Sequence, residues 1–447
     1  MKPMSGKRLL TISASLIGAR VIGAGLTFLT QILIARWLGA DTLGHYAVAM
    51  SLGGVLAVVA SGGFPSIAQR FIARYRVDER PDLIAGFTRS GRRATLIGSL
   101  ALIAFVWTGL FLSWSHWGYD YGLALAIGAL TAPAMALINL NGSIANAFRR
   151  PFMGFLPDTI LRPVLFISAI AAGGWLYSGA ATAVELMAMN LAVIILAAVI
   201  QMIWMHRAKL TPTRDVAASR NDREWRQSAI SLVLIVLFTN YFIDVDILLL
   251  STLLTPEQIA VFNICVRFTA FIVFALHSVN QIALPDLADA HARTDTRGVG
   301  QALARANLTG VGLALAATIG LVVFGKPILA MIGPEFTEGY VLLLLLSAAQ
   351  VLRAAFGSAS VQLLTVTGHQ TKALAPFITG FLTLVALNFL LVPLYGLEGA
   401  GIAMMLSVVL LSVWLAILAR RLTGYDVTIW ASRPSLLFRR RSLAVQD

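Results

Sequence analysis

The chain has 447 residues, of which 58% are hydrophobic and only 12% charged, and it carries a formal net charge of +13. A soluble domain carries roughly a quarter charged residues, so this composition excludes an ordinary soluble globular protein and reads as a polytopic membrane protein. The single cysteine, Cys265, excludes an intrachain disulfide and reads as a small packing residue in an apolar run.

A bilayer core of ~30 Å takes about 20 apolar residues per helix. Twelve stretches qualify: 9–36, 43–64, 94–114, 121–147, 156–177, 182–205, 226–252, 256–284, 306–325, 338–366, 373–394 and 397–421. The opening MKPMSGKRLL resembles a signal-peptide n-region. The apolar stretch behind it runs to Trp37 with no small-residue cleavage pattern, so a retained first helix is expected. The second span ends in SGGFPSIAQRFIARYR, where Gly62, Gly63 and Pro65 should break or bend it. Beyond the break, Arg70 and Arg74 lie one turn apart. They either face an inward-open vestibule or form a solvated stop-transfer run, and the sequence does not choose between these. In the fourth span Asn139, Asn141 and Asn146 suit interhelical hydrogen bonds. In the fifth, Asp158 and Arg162 have the spacing of a local ion pair.

The polar stretch 207–225 divides the chain into two six-span halves, 1–206 and 226–421, and a basic tail, 422–447, follows. Six is an even number, so both halves share one orientation. Two echoes support a parallel repeat: LGADTLGHY (38–46) with LTPEQIAVF (254–262), and YSGAATA (177–183) with YGLEGAG (395–401). The fold class expected is an all-α membrane protein with twelve transmembrane helices in two lobes. A pseudo-two-fold axis along the membrane normal would relate them.

With the N-terminus in the cytoplasm, 28 of the 34 Lys and Arg fall on the cytoplasmic side and only Arg36 and Lys326 at the outer face. That skew places both termini inside. It also accounts for the net charge by leaflet anchoring, with no nucleic-acid partner. Trp37, Trp114, Trp117, Trp175 and Trp204 lie near span ends, as an aromatic belt does. The outer connections are short, about 12–15 residues at most by these spans, which leaves no room for an outer catalytic domain.

No GxxxxGK[ST], no HExxH and no Cys/His cluster of metal-ligand spacing occurs, so neither an enzyme nor a cofactor is expected. What remains is polarity inside spans, where it is costly. Arg20 shares a face with Gly23, Ala24, Thr27 and Gln31, a stripe that favours a cavity-lining anion role over a merely packed arginine. Arg267 shares one with Asn263, Ala270, Ser278 and Gln281, interrupted by Phe274; Arg353 shares one with Gln350, Gly357 and Ser360. For both, packing competes with the cavity role. Asp244 and Asp246 sit in FIDVDILLL; two residues apart on a helix they differ by about 200° and cannot form a paired-carboxylate site. A carboxylate in low dielectric can carry a proton, so ion or proton coupling competes with pairing to an arginine such as Arg267. Face polarity, through Asn240 and Ser251, favours Asp244 as the residue that sees a cavity.

The stretch IARWLGADTLGHYAVAMSLGGVLAVVASGGFPSIAQRFIARY (34–75) resembles the opening of polysaccharide transporters and O-antigen flippases of the multidrug/oligosaccharidyl-lipid/polysaccharide exporter superfamily. Arg36, Leu38, Gly39, Gly44, Tyr46, Ala49, Gly63, Arg70 and Ala73 fit its pattern. TPEQIAVFNICVR resembles the family's second-half version, with Ala260 and Phe262 in place of the usual glycine and tyrosine; VPLYGLEGAGIAMMLS resembles its last-helix entry. The resemblance implies two lobes about a V-shaped central cavity, and it favours Asp246 as the functional acid. It also implies a substrate: an oligosaccharide linked to a polyprenyl (pyro)phosphate, moved across a bacterial inner membrane by alternating access for lipopolysaccharide or surface-polysaccharide assembly. Arg20 and Arg267, with Arg353, would hold the phosphate head group, since arginine binds phosphate bidentately. The expected partners are this lipid-linked substrate, membrane lipids and other polysaccharide-assembly proteins, with the chain itself a monomer. Its rivals are a multidrug or cation antiporter of the same superfamily, disfavoured by four intramembrane arginines, and a peptidoglycan-precursor flippase, which would usually carry two further helices. A major-facilitator transporter lacks support because RSGRR (89–93) is only a fragment of that family's loop motif. A membrane polymerase or ligase would need a large outer loop.

Overall fold

The computed structural model describes residues 6–113, 118–176, 182–210, 219 and 221–431. Trp114, Trp117, the side chain of Trp175, most of the 177–183 echo, positions 211–218 and 220 of the expected linker, and the tail from 432 lie outside the described residues. The described residues are helical and contain no strand. Helices α1 (Gly6–Ala60), α2 (Phe64–Val77), α3 (Pro81–Leu112), α4 (Tyr119–Leu130), α5 (Ala132–Ala147), α6 (Pro151–Leu156), α7 (Arg162–Leu176), α8 (Ala183–Arg207), α9 (Asp222–Asn240) and α10 (Phe242–Leu250) come first. They are followed by α11 (Pro256–Ala292), α12 (Thr296–Ile332), α13 (Tyr340–Ala355), α14 (Ser360–Val366) and α15 (Leu374–Thr423).

Nine stretches among the described residues are long and apolar enough to cross a bilayer, and a tenth is the pair α9–α10, bent by 62°. Two of the nine are each a pair of helices joined at one glycine. Gly39 breaks α1 with φ 88° and ψ 166°, and Gly396 breaks α15 with φ 55° and ψ −131°. Only glycine takes such angles without strain, so each junction is written into the sequence. Counting the bent pair once and dividing both kinked helices gives twelve passes in the expected order. The protein is an all-α multi-pass membrane protein. Its lipid-facing helices leave large apolar side chains uncovered: Phe105 and Phe111 of α3 are 76% and 80% exposed. Such surface is stable in hydrocarbon and an aggregation liability in water.

The chain forms two compact units: residues 1–251 with 255–260, and residues 252–254 with the remainder from 261. In the first, α2 begins after Gly62 and Gly63, both left-handed, so the expected break of the second span is present. Phe64, Ile67, Phe71, Ile72 and Tyr75 of α2 form one buried face, which joins Phe87, Leu140, Ile144 and Trp225 in a core. Trp225 is the last residue of the expected linker, yet it is fully buried. Its Nε1–H donates to the Tyr75 hydroxyl at 2.8 Å, and its ring meets Phe87 edge-on at 5.4 Å. Helices α9 and α10, whose residues from 226 onward the sequence assigns to the second half, pack on α1, α2 and α3 of this unit. Close backbone approaches use small residues: a Cβ on Gly128 would meet the Ala49 carbonyl, and one on Gly142 the Gly154 carbonyl.

In the second unit α13 lies between α12 and α15. A core of Leu287, Val299, Leu303, Leu363, Leu364, Leu415 and Val427 closes one end. The start of the expected tail belongs to that core. Val427 is fully buried, and its carbonyl accepts from Asn307 Nδ2 at 2.7 Å.

Candidate functional site

In the first unit one pair of intramembrane charges is compensated locally. Pro157, which has no N–H to donate, opens a π-helical turn (Pro157–Leu161) between α6 and α7. Within it Asp158 accepts from Arg162 Nη1 at 2.9 Å, the expected ion pair. Arg162 also meets Tyr46, whose ring stacks on Phe166 at 5.7 Å. Gly23 of α1 packs on this turn, where a Cβ would meet Thr159. Tyr241, at the bend between α9 and α10, bonds Asn139 and lies in the field of Asp158, Asp244 and Arg162. Asp244 accepts from the Ser51 hydroxyl at 3.1 Å. Beside this cluster, a cavity of about 240 Å³ is lined by Ser61, Ser66, Asn139, Ser143, Asn240 and Tyr241. Asp246 is 1% exposed and packs inside the unit. The two aspartates thus have different environments: Asp244 is half-buried in the polar cluster, and Asp246 is sunk in the core.

The other expected residues of this unit are distributed differently. Arg20 and Ala24 are exposed on α1, Thr27 is half-buried, and Gly23 and Gln31 of the same stripe are buried. Arg70 is exposed and lies over the Phe71 ring at 4.8 Å. Arg74 pairs with Asp78 at 3.6 Å, both well exposed. Asn141 does bond across helices, as expected of the fourth-span asparagines. Its Oδ1 accepts from Arg92 Nε and Nη2 at 3.1 and 2.8 Å.

In the second unit Arg267 and Arg353 stand in acid-free stretches of helix. No Asp or Glu occurs in 258–285, 296–334 or 339–397; Asp286 and Asp289 lie near the end of α11. Arg267 on α11 is half-buried, and its Nε is buried without an acceptor. Arg353 on α13 is likewise half-buried, with no ion pair or hydrogen bond among the described residues of the unit. His277 lies within electrostatic range of Arg353. One turn beyond, Asn280 binds Ser358, donating to its carbonyl at 3.0 Å. Local packing orients α11. Cys265, Thr269, Ile272, Leu276 and Asn280 make a buried stripe, and the Cys265 thiol donates to the Gly339 carbonyl at 3.3 Å. Arg267, Ala270, His277 and Gln281 are therefore turned to the less covered face. The stripe around Arg353 differs: Gln350, Gly357 and Ser360 are all buried.

Sequence reasoning passed over Tyr241, Ser51, Arg92 and His277. A tyrosine beside two in-span aspartates was a signal for the first. Arg92 was hidden because it reads as one of several arginines at a span entrance.

No family model matches the chain. It is 23% identical over 403 residues to the probable low-salt glycan biosynthesis flippase Agl15 of Haloferax volcanii, covering 88% of this chain and 80% of that one. An inward-facing multidrug resistance MATE family transporter of the MOP superfamily superposes with a TM-score of 0.74, covering 91% of this chain and 97% of that one at 15% identity. The lipid II flippase MurJ, in an inward closed conformation, superposes with a TM-score of 0.74 over 91% and 87% of the two chains at 14% identity. The chain has the fold of these transporters. The resemblance drawn from 34–75 and the later motifs extends to a glycan flippase over most of the chain.

Proposed function

We propose that the protein is a flippase that moves a polyprenyl-(pyro)phosphate-linked oligosaccharide across a bacterial inner membrane by alternating access. Its service would be surface-polysaccharide or lipopolysaccharide assembly, O-antigen included. The observation that carries this is the pair Arg267 and Arg353, each placed in a helix with no carboxylate within two turns on either side along the chain. A charge kept at membrane depth at a cost of at least ~2.5–3.5 kcal/mol implies a counter-charge that arrives from outside the unit. A phosphate head group supplies it, and guanidinium is the side chain that binds phosphate in two directed contacts. Arg20 is proposed as a third head-group residue, and Arg70 and Arg74 as the basic approach to it. Two lobes would rock about the site, with both termini in the cytoplasm. The similarity to a protein named as a glycan flippase supports the substrate class.

A second reading, a cation antiporter, is favoured by one observation, the cavity beside Asp244 and Tyr241 in the first unit. In a flippase the same aspartate would couple transport to a proton or cation. The deciding experiment is gentle purification followed by mass spectrometry of the bound lipid. A polyprenyl-linked sugar in the intact protein, lost in Arg267→Ala/Arg353→Ala, is the expected result. Drug cations bound instead, with affinity that survives loss of both arginines and falls in Asp244→Asn, would replace this reading by the antiporter.

A further inference from the structure

A separate basic pocket lies in the first unit, away from the membrane-depth residues just described. It has a volume of about 520 Å³ where α3 and α9 approach, and its lining includes Arg89, Ser90, Arg93, Ile97, Asp222 and Arg226. Its closed side is tied: the Ser90 hydroxyl donates to Asp222 Oδ1 at 2.6 Å, which joins the two helices. Against this one carboxylate stand three guanidinium groups, a local excess of two positive charges. Arg93 and Arg226 are exposed and make no hydrogen bond or ion pair with any described residue.

The pocket changes character along both helices in the same direction. On α3, Arg89 and Arg93 are followed one turn further by Ile97 and then Leu100, which are 55% and 64% exposed. On α9, Arg226 is followed one turn further by Ile230 and then Leu234, 70% and 49% exposed. Each helix passes from arginine to uncovered aliphatic side chain as it enters its membrane-crossing stretch. A soluble anion would satisfy the arginines and leave the aliphatic edge unused. An apolar ligand would leave two cations without counter-charge. A molecule with an anionic phosphate head and acyl chains satisfies both ends, and basic pockets between helices at a leaflet surface bind such head groups.

We infer that this pocket is a binding site for a phosphate-bearing anionic lipid of the bilayer, its head group between Arg93 and Arg226 and its chains along Ile97 and Ile230. Since α9 leads through the bend at Tyr241 into the strand of polar contacts made by Asp244, an occupied pocket would hold α9 against α3 and steady that bend. The inference does not depend on the transported substrate.

The test uses the full-length protein in detergent. Native mass spectrometry counts retained phosphatidylglycerol against phosphatidylcholine, with inorganic phosphate as competitor. The wild type should retain phosphatidylglycerol selectively. Arg93→Gln/Arg226→Gln should weaken retention roughly tenfold, while the paired loop substitution Arg149→Gln/Arg150→Gln should not. Arg93→Lys/Arg226→Lys keeps the charge and should restore most of the retention, which separates lost binding from lost folding. Ile97→Asp, at an exposed position, should also weaken it. Unchanged retention in the glutamine pair overturns the site. Displacement of the lipid by millimolar phosphate, with Ile97→Asp behaving as wild type, overturns the lipid assignment in favour of a soluble anion. Neither result bears on whether a polyprenyl-linked sugar co-purifies, so the transport reading stands or falls separately.

Discussion

The two units treat buried positive charge in opposite ways. In the first, Arg162 has Asp158 at 2.9 Å and Arg92 has the Asn141 carbonyl oxygen at 2.8 Å. In the second, Arg267 and Arg353 have no carboxylate within two helical turns along the chain, and Arg267 Nε is buried without an acceptor. An arginine with a built-in partner is part of the structure, and its removal leaves an uncompensated group behind. An arginine without one is held in readiness, and its removal relieves a desolvated charge. The first kind should therefore matter for stability, and the second for what the protein binds.

Four substitutions would break or sharpen that contrast. The largest effect is expected for Arg267→Ala/Arg353→Ala. Each charge-assisted phosphate contact is worth ~1.5–3 kcal/mol, so affinity for a phosphate-headed lipid should fall by roughly 100-fold or more, while the melting temperature holds or rises. Equal loss of stability and binding would show that these arginines are structural after all. Next is Arg162→Ala, which leaves Asp158 without its partner. The side chains are 17% and 45% exposed, so the cost should lie below the ~3–5 kcal/mol of a fully buried pair, at about 2 kcal/mol in a detergent-unfolding titration. The double variant with Asp158→Asn should recover part of it. Arg92→Leu should cost about 1–2 kcal/mol through the orphaned Asn141 oxygen, read in the same titration, and Asn141→Leu added to it should cost little more. The smallest effect belongs to Arg74→Ala. Its pair with Asp78 is 67% and 50% exposed, and the change in stability should stay within about 0.5 kcal/mol at moderate salt.

Much of the fold was legible because a bilayer imposes a one-dimensional rule. Length and hydropathy locate each crossing, and Gly62 and Gly63 mark a break because other residues do not take their angles, as Gly39 and Gly396 do in the structure. The local pair Asp158–Arg162 was legible for the same reason: one helical turn brings the two together wherever the helix goes. The candidate site was less legible. Arg20, Arg267 and Arg353 look alike as arginines within polar stripes. Only packing showed that the residues around Arg353 are covered, that the Arg20 stripe is part covered and part open, and that the face of Arg267 stays open beside the buried stripe from Cys265 to Asn280.

The aspartates of FIDVDILLL show the same limit. Helical geometry alone established that Asp244 and Asp246 face apart. That Asp244 meets a hydroxyl depended on a contact 193 residues away, with Ser51. Trp225 tells it from the other side, since a polar neighbourhood suggested a linker and the Tyr75 hydroxyl 150 residues away makes it core. The sequence by itself determined the crossings, the breaks and the acid-free stretches around Arg267 and Arg353, because each of these is a local property of the chain. The tertiary structure decided which charges are compensated, because compensation is set by neighbours that the chain brings close only on folding.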